Sequence, residues 1–144
     1  MSDILIVGAN FYKDIAEQLS SGAVKVLSDK RLSIESIWVP GVFEVPSAVA
    51  KAWSTQNYLG VISLGCVIRG QTDHYDHICR EVTRELMELT VKQSMPHGLG
   101  ILTCENYEQA WERAHTKNLD AGGRAALACC RMLEIHKKIN DGSV

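Results

Sequence analysis

No stretch of this sequence holds the ~20 consecutive apolar residues that a membrane-spanning helix needs. The opening Met1-Ser2-Asp3 runs straight into Ile4-Leu5-Ile6-Val7, with neither the basic flank nor the cleavage site of an export signal. The expectation is a cytoplasmic protein. Charge of one sign is lacking too. A net charge of −2 gives no bulk attraction to nucleic acid or to an anionic membrane, and neither is expected as a partner. The five cysteines are odd in number and form no C-x-x-C pair. Without an export signal no disulfide framework is expected, so Cys66, Cys79, Cys104, Cys129 and Cys130 read as free thiols packed as small hydrophobes. The 3 prolines and 11 glycines do not gather into a linker, and no internal repeat is present. Residues 1–144 therefore read as a single domain. There is no G-x-G-x-x-G and no P-loop.

What is present suffices for a core. The 144 residues are 46% hydrophobic, and a domain near this size buries roughly 70% of its unfolded surface. Four short apolar runs read as strands: Ile4–Gly8, Ile37–Val39, Gly60–Ile68 and Gly98–Thr103. Between and after them lie apolar stripes at helical spacing. Ile15, Leu19, Ala23 and Val26 form one, Ile78, Val82, Leu86 and Leu89 a second, and Ala128, Met132, Ile135 and Ile139 a third. Pro46–Trp53 and Tyr107–Lys117 are shorter helical segments, and Pro96 and Gly98 stop the helix that begins near Tyr75. Strand and helix alternate, with two helices at the end. That order predicts an α/β fold with a four-stranded parallel sheet and helices on both faces, a three-layer α/β/α sandwich. Its crossovers are right-handed, and ligands bind beyond the carboxyl ends of its strands.

Those strand ends carry a concentration of chemistry. They read Gly8–Tyr12, Pro40–Pro46, Arg69–His74 and Cys104–Asn106. Gly70–His74 is a glycine-containing turn into a helix, where unpaired N–H groups and the helix dipole favour an anion. Thr72 either adds a hydroxyl to that anion or, like Asp73, caps the helix. His74 opens the helix and is placed to move protons near neutral pH. His77 lies three residues on, but an H-x-x-H pair has no evident third metal ligand, and no metal is expected. Phe11 and Phe43 are the only phenylalanines and both sit in turns. They either stack on a flat heterocycle or plug the sheet ends. Glu44 either accepts hydrogen bonds from sugar hydroxyls or complements a helix start. Arg113 and Lys117, four apart, read as one helical face that either completes an anion site or is solvated. Lys25, Lys30, Arg31, Lys137 and Lys138 read as solvated surface. Trp38, Trp53 and Trp111 read as core or subunit contacts.

Taken together these turns resemble the lumazine synthase family. The matching blocks are Asn10-Phe11-Tyr12 with Ser21-Gly22-Ala23, Val39-Pro40-Gly41-Val42-Phe43-Glu44-Val45-Pro46, Leu64 to Asp76 (which contains Arg69-Gly70-Gln71-Thr72-Asp73-His74), and Gly100 to Ala110 followed by Glu112-Arg113-Ala114. The blocks run in order over nearly the whole chain. The resemblance implies a flavodoxin-like fold, homopentamers, and an active site shared between neighbouring subunits. It implies a reaction that closes the second ring of a riboflavin precursor from a ribitylaminouracil and a butanone phosphate, with no cofactor. Phe11 is then the residue that stacks on the uracil. Val42, Phe43, Glu44, Cys66, Val67 and Ile68 contact the uracil and its ribityl chain. Gln71 and Thr72 hold the phosphate, and His74 transfers protons. Leu99 and Arg113 come from the adjacent subunit, Arg113 to the phosphate.

Three positions depart from the family pattern. Leu99 stands where many members carry phenylalanine. Asn10 replaces a common arginine. Ala121 stands where a lysine often precedes a glycine, leaving Lys117 or no residue in its place. Only Met1–Asp3 precede Ile4, too few for the extra strand of capsid-forming relatives, so a pentamer or a dimer of pentamers is expected rather than a closed shell. The competing reading is a flavin-binding or storage protein on the same scaffold. A generic flavodoxin-like regulator or electron carrier is a further alternative.

Overall fold

The computed structural model describes residues 2–143. The elements run β1 (Ile4–Ala9), α1 (Lys13–Asp29), β2 (Ile34–Val39), a single 3-10 turn (Val42–Glu44), α2 (Val45–Ser54), β3 (Gly60–Ile68), α3 (His74–Lys92), β4 (His97–Cys104), α4 (Tyr107–Ala114) and α5 (Ala121–Asp141). The sheet order is β2-β1-β3-β4, and all neighbours are parallel. Parallel pairing needs crossovers, and the crossover helices cover both faces. The two inner strands, β1 and β3, are accordingly buried almost throughout. On one face Ile4, Ile6, Ile62 and Leu64 pack with Ile15 and Leu19 of α1, Ala110 of α4, and Ala126 and Cys129 of α5. On the other, Leu5, Val7 and Val61 pack with Val45 and Val49 of α2 and with Val82 and Leu86 of α3. Each of these larger aliphatic side chains, once buried, contributes about 1.5–3 kcal/mol before entropy is counted. The three-layer sandwich with a four-stranded parallel sheet is thus the fold.

The departures from the sequence reading have local causes. β2 begins at Ile34, before the apolar run, because as an edge strand it tolerates exposed Glu35 and Ser36. Asp3 and Ser33 tie its start to β1. The Asp3 N–H donates to Ser33 Oγ and the Ser33 N–H to Asp3 Oδ2, each at 2.8 Å. α4 stops at Ala114, since His115 turns to extended backbone and its carbonyl oxygen accepts from the N–H groups of Asn118 and Asp120. Lys117 therefore lies beyond the helix and does not share a helical face with Arg113.

The third apolar stripe lies on α5 but does not face the core. Ala128 is exposed, Met132 is 38% exposed and Ile139 60%. The buried face is made of small residues instead: Gly122, Ala125, Ala126 and Cys129. A methyl group on Gly122 would collide with the carbonyl oxygen of Leu19, and one on Gly98 with that of Ala125. α5 thus lies nearly backbone to backbone on α1 and β4. Close approach gains dispersion contacts that bulkier residues would prevent. The larger apolar residues are left facing outward.

Candidate active site

A cleft of about 490 Å³ opens at the carboxyl ends of β1 and β3. Volumes of this size suit a small-molecule ligand. The loop after β1 contributes Phe11 and Tyr12, the turn after β2 contributes Gly41, Val42, Phe43 and Glu44, and β3 contributes Cys66, Val67 and Ile68. α3 adds His74 and Ile78. The fold thus brings eight of the sequence-derived candidates together from four separate segments.

The plug reading of the phenylalanines fails. Phe11 is 72% exposed and Phe43 69%. The Phe11 ring stands edge-on to Tyr12, with ring centres 5.0 Å apart. Open aromatic faces beside a cleft are surfaces for a flat partner. Glu44 makes no cap hydrogen bond to α2, although it occupies the capping position. Its carboxylate folds back over Gly41, where an added Cβ would stand 3.3 Å from Oε1. Of the two readings for Glu44, the cleft-facing one fits this geometry.

Cys66 is a buried thiol in the cleft wall. Burial, reinforced by neighbouring Cys104, pushes its thiol up to about 12, so the reactive thiolate is scarce at neutral pH. All five cysteines are free.

His74 is the first residue of α3, and its ring has no hydrogen-bond partner among the described residues. Its backbone N–H donates to Thr72 Oγ1 at 3.3 Å, so Thr72 supports the helix start. The neighbouring His77 is engaged elsewhere, with Nε2 3.2 Å from Asp73 Oδ2. Arg69 holds this loop in place. Its guanidinium donates to Glu105 at 2.8 Å, reaches Asp76 at 3.3 Å, and lies 4.3 Å over the Tyr75 ring. Its own N–H bonds the Cys104 carbonyl. With its charge so occupied, Arg69 ties the start of α3 to the end of β4. Gln71 and Thr72 are exposed on the rim and outside the cleft lining.

Leu99 and Arg113 are elsewhere. They line a second cleft of about 390 Å³ with Leu102, Leu119, Ala121, Arg124, Ala125 and Ala128. Arg113 is anchored there by bonds from one guanidinium nitrogen to the Thr103 carbonyl (3.3 Å) and to Cys104 Sγ (3.5 Å). Lys117 is not part of the lining. Arg113 and His74 thus line different clefts of the one chain.

Sequence reasoning missed Tyr12, Gly41 and Ile78 as cleft residues, and Arg124 as a member of the second cleft. Tyr12 and Gly41 lie inside the turns that drew attention. Ile78 was absorbed into a core stripe, although its position one turn after His74 points it toward the same opening. Arg124 sits among small apolar residues of α5 and carries no local signal.

Residues 2–137 match the 6,7-dimethyl-8-ribityllumazine synthase family. The 6,7-dimethyl-8-ribityllumazine synthase of Bartonella tribocorum is 44% identical over 96% of this chain and 92% of its own length. That of Agrobacterium fabrum is 44% identical over 94% and 95%. A protein named 6,7-dimethyl-8-ribityllumazine synthase 1, from Rhizobium meliloti, is 42% identical over 94% and 92%. With the match spanning nearly every element of the sheet and both clefts, the chain belongs to the lumazine synthase family.

Proposed function

We propose that the protein is a cytoplasmic lumazine synthase working as a pentamer or a dimer of pentamers, with each active site built from two neighbouring chains. It condenses 5-amino-6-ribitylaminouracil with dihydroxybutanone phosphate to give 6,7-dimethyl-8-ribityllumazine, phosphate and water. The observation that carries the shared site is the separation of the two clefts. Phe11, Glu44 and His74 line one, whereas Leu99 and Arg113 line another formed by β4, α4 and α5. The flank around the second cleft exposes Leu99 (49%), Leu119 (47%) and Met132 (38%). Apolar side chains exposed together in this way suit a subunit contact. A head-to-tail contact, repeated until it closes, gives a ring.

In this reading Phe11 stacks on the uracil ring. Val42, Phe43 and Glu44, with the backbone of Cys66, Val67 and Ile68, fix the ring and its ribityl chain. Gln71 and Thr72 meet the phosphate at the start of α3, where helix N–H groups favour an anion. Arg113 of the next subunit meets it from the other side. The chemistry joins an aromatic amine to a ketone, expels phosphate, and closes a ring with loss of water. His74, with its ring free, carries protons between these steps, an effect worth about 10²–10⁴-fold. Guanidinium and N–H donors stabilise the departing phosphate. Holding two substrates in reacting geometry supplies much of the remainder.

A spectroscopic assay tests this directly. A fluorescent lumazine should form only when both substrates are present. Tight riboflavin binding with no lumazine formed would mark a flavin-binding protein instead. Light scattering should give the mass of a pentamer or its dimer, and a megadalton particle would contradict the proposed assembly.

A further inference from the structure

Arg124 stands on the first turn of α5 and lines the second cleft with Arg113. We infer that Arg124 is a second phosphate-binding cation, delivered with Arg113 into the neighbouring subunit's site, where the two guanidiniums clasp the phosphate monoester of the substrate. The inference rests on the shared site proposed above.

Three observations point the same way. First, neither arginine forms an ion pair among the described residues, whose pairs engage Arg69, Arg84 and Arg131 together with Lys25, His77 and Lys92. Two like charges in one cleft repel, and here no carboxylate offsets them. The nearest acid in sequence, Asp120, is turned away: its Oδ1 accepts the Gly123 N–H at 3.2 Å and it packs against Gly22. Second, a cation in the first turn of a helix opposes the helix dipole. Arg124 therefore gains nothing from the dipole of α5, and an anion from outside would offset that unfavourable placement. Third, the rest of the lining is small or aliphatic. Ala121, one turn before Arg124 on the same face, contributes only a methyl group, and Lys117 is absent from the cleft. Helical side chains lean toward the amino terminus, and Arg124 and Ala121 line the same cleft. A dianionic phosphate is the ligand class that matches two forked guanidiniums with no internal counter-ion.

The test uses Arg124→Gln and Arg124→Lys in the full-length, assembled protein. Each substrate is titrated with the other saturating, and inorganic phosphate binding is followed by calorimetry and as inhibition. Arg124→Gln should raise KM for the butanone phosphate and weaken inorganic phosphate about tenfold, while KM for the uracil stays within about twofold. Arg124→Lys should recover part of the loss. If Arg124→Gln disturbs assembly, Arg124→Met keeps the aliphatic stem and is read the same way. An active, assembled neutral variant with unchanged phosphate affinity overturns the inference, as does an equal loss for both substrates. Failure of the unmutated protein to make lumazine would instead remove the enzymatic reading beneath it.

Discussion

The two clefts differ in what they lack. The first holds open aromatic rings, a histidine with a free ring, and backbone at two strand ends, yet no unpaired cation lines it. The second holds two unpaired arginines among leucine and alanine, yet no histidine or carboxylate. On the function proposed above, each cleft supplies half of what the condensation requires. The sheet order explains why they stay apart. β1 and β3 are central, so their ends form the first cleft, while β4 is an edge strand whose flank, with α4 and α5, forms the second. On the function proposed above, one chain supplies the site for the heterocycle and a neighbouring copy the phosphate clamp. On that proposal, catalysis and assembly are one property of the chain.

The largest effect should come from breaking assembly without touching either set of catalytic side chains. Leu127→Glu combined with Met132→Glu puts two carboxylates on exposed positions of α5 outside both clefts. We expect dissociation to monomers with unchanged helix content, and activity falling by at least about 10²-fold because half of each site is lost. Scattering, circular dichroism and assay together check this. Full activity in a monomer would break the comparison between clefts. Next in size is His74→Ala, which should slow turnover by about 10²-fold with the oligomer intact. An unchanged rate would take the proton-transfer role away from the first cleft. Arg113→Ala should raise KM for the butanone phosphate by about 10- to 100-fold and leave the uracil nearly unaffected. Equal losses for both would make Arg113 structural.

The smallest effect concerns a histidine belonging to neither cleft. His97 lies between the sheet and α3, where the Thr90 hydroxyl donates to the Leu86 carbonyl and so accepts from His97 Nδ1, while Ser63 Oγ donates to Nε2, both contacts at 2.7 Å. Burial lowers its pKa from 6.5 to about 4. An unfolded chain takes up this proton near pH 6.5, whereas the folded one refuses it until about pH 4. Stability should therefore be full above about pH 6.5 and fall as pH drops toward 4, by up to about 3 kcal/mol. Denaturant unfolding at pH 7 and pH 5, at fixed protein concentration, measures the slope. A His97→Gln variant should flatten it. Knowing this slope separates acid effects on folding from acid effects on the first cleft.

Much of the architecture was legible in the sequence. The apolar run of β3 matched its strand end to end, and strand–helix alternation implied the layers. Turns at strand ends pointed to Phe11, Glu44 and His74 because glycine, proline and aromatic residues are conspicuous there. What the sequence concealed depended on tertiary contact. The outward face of α5 carries the larger apolar residues, so periodicity alone selected it over the Gly122–Cys129 face that actually packs. Lys117 sat at helical spacing from Arg113, but the turn around His115 cut the helix first. Arg124 carries no local signal, and only the packing of α4, α5 and β4 places it in a cleft. Chain periodicity reports that a face is apolar. It does not report whether that face meets its own sheet or another chain.

The most direct test of the shared site is complementation. His74→Ala and Arg113→Ala chains would be co-expressed, and the mixed assemblies assayed at a butanone phosphate concentration where each variant alone is nearly silent. Random mixing in a head-to-tail ring pairs an intact first cleft with an intact second cleft in about a quarter of the sites. The account predicts that activity returns to about that fraction of the unmutated protein's. Mixed assemblies as silent as either parent would show that His74 and Arg113 act within one chain, and the two-cleft account would be wrong.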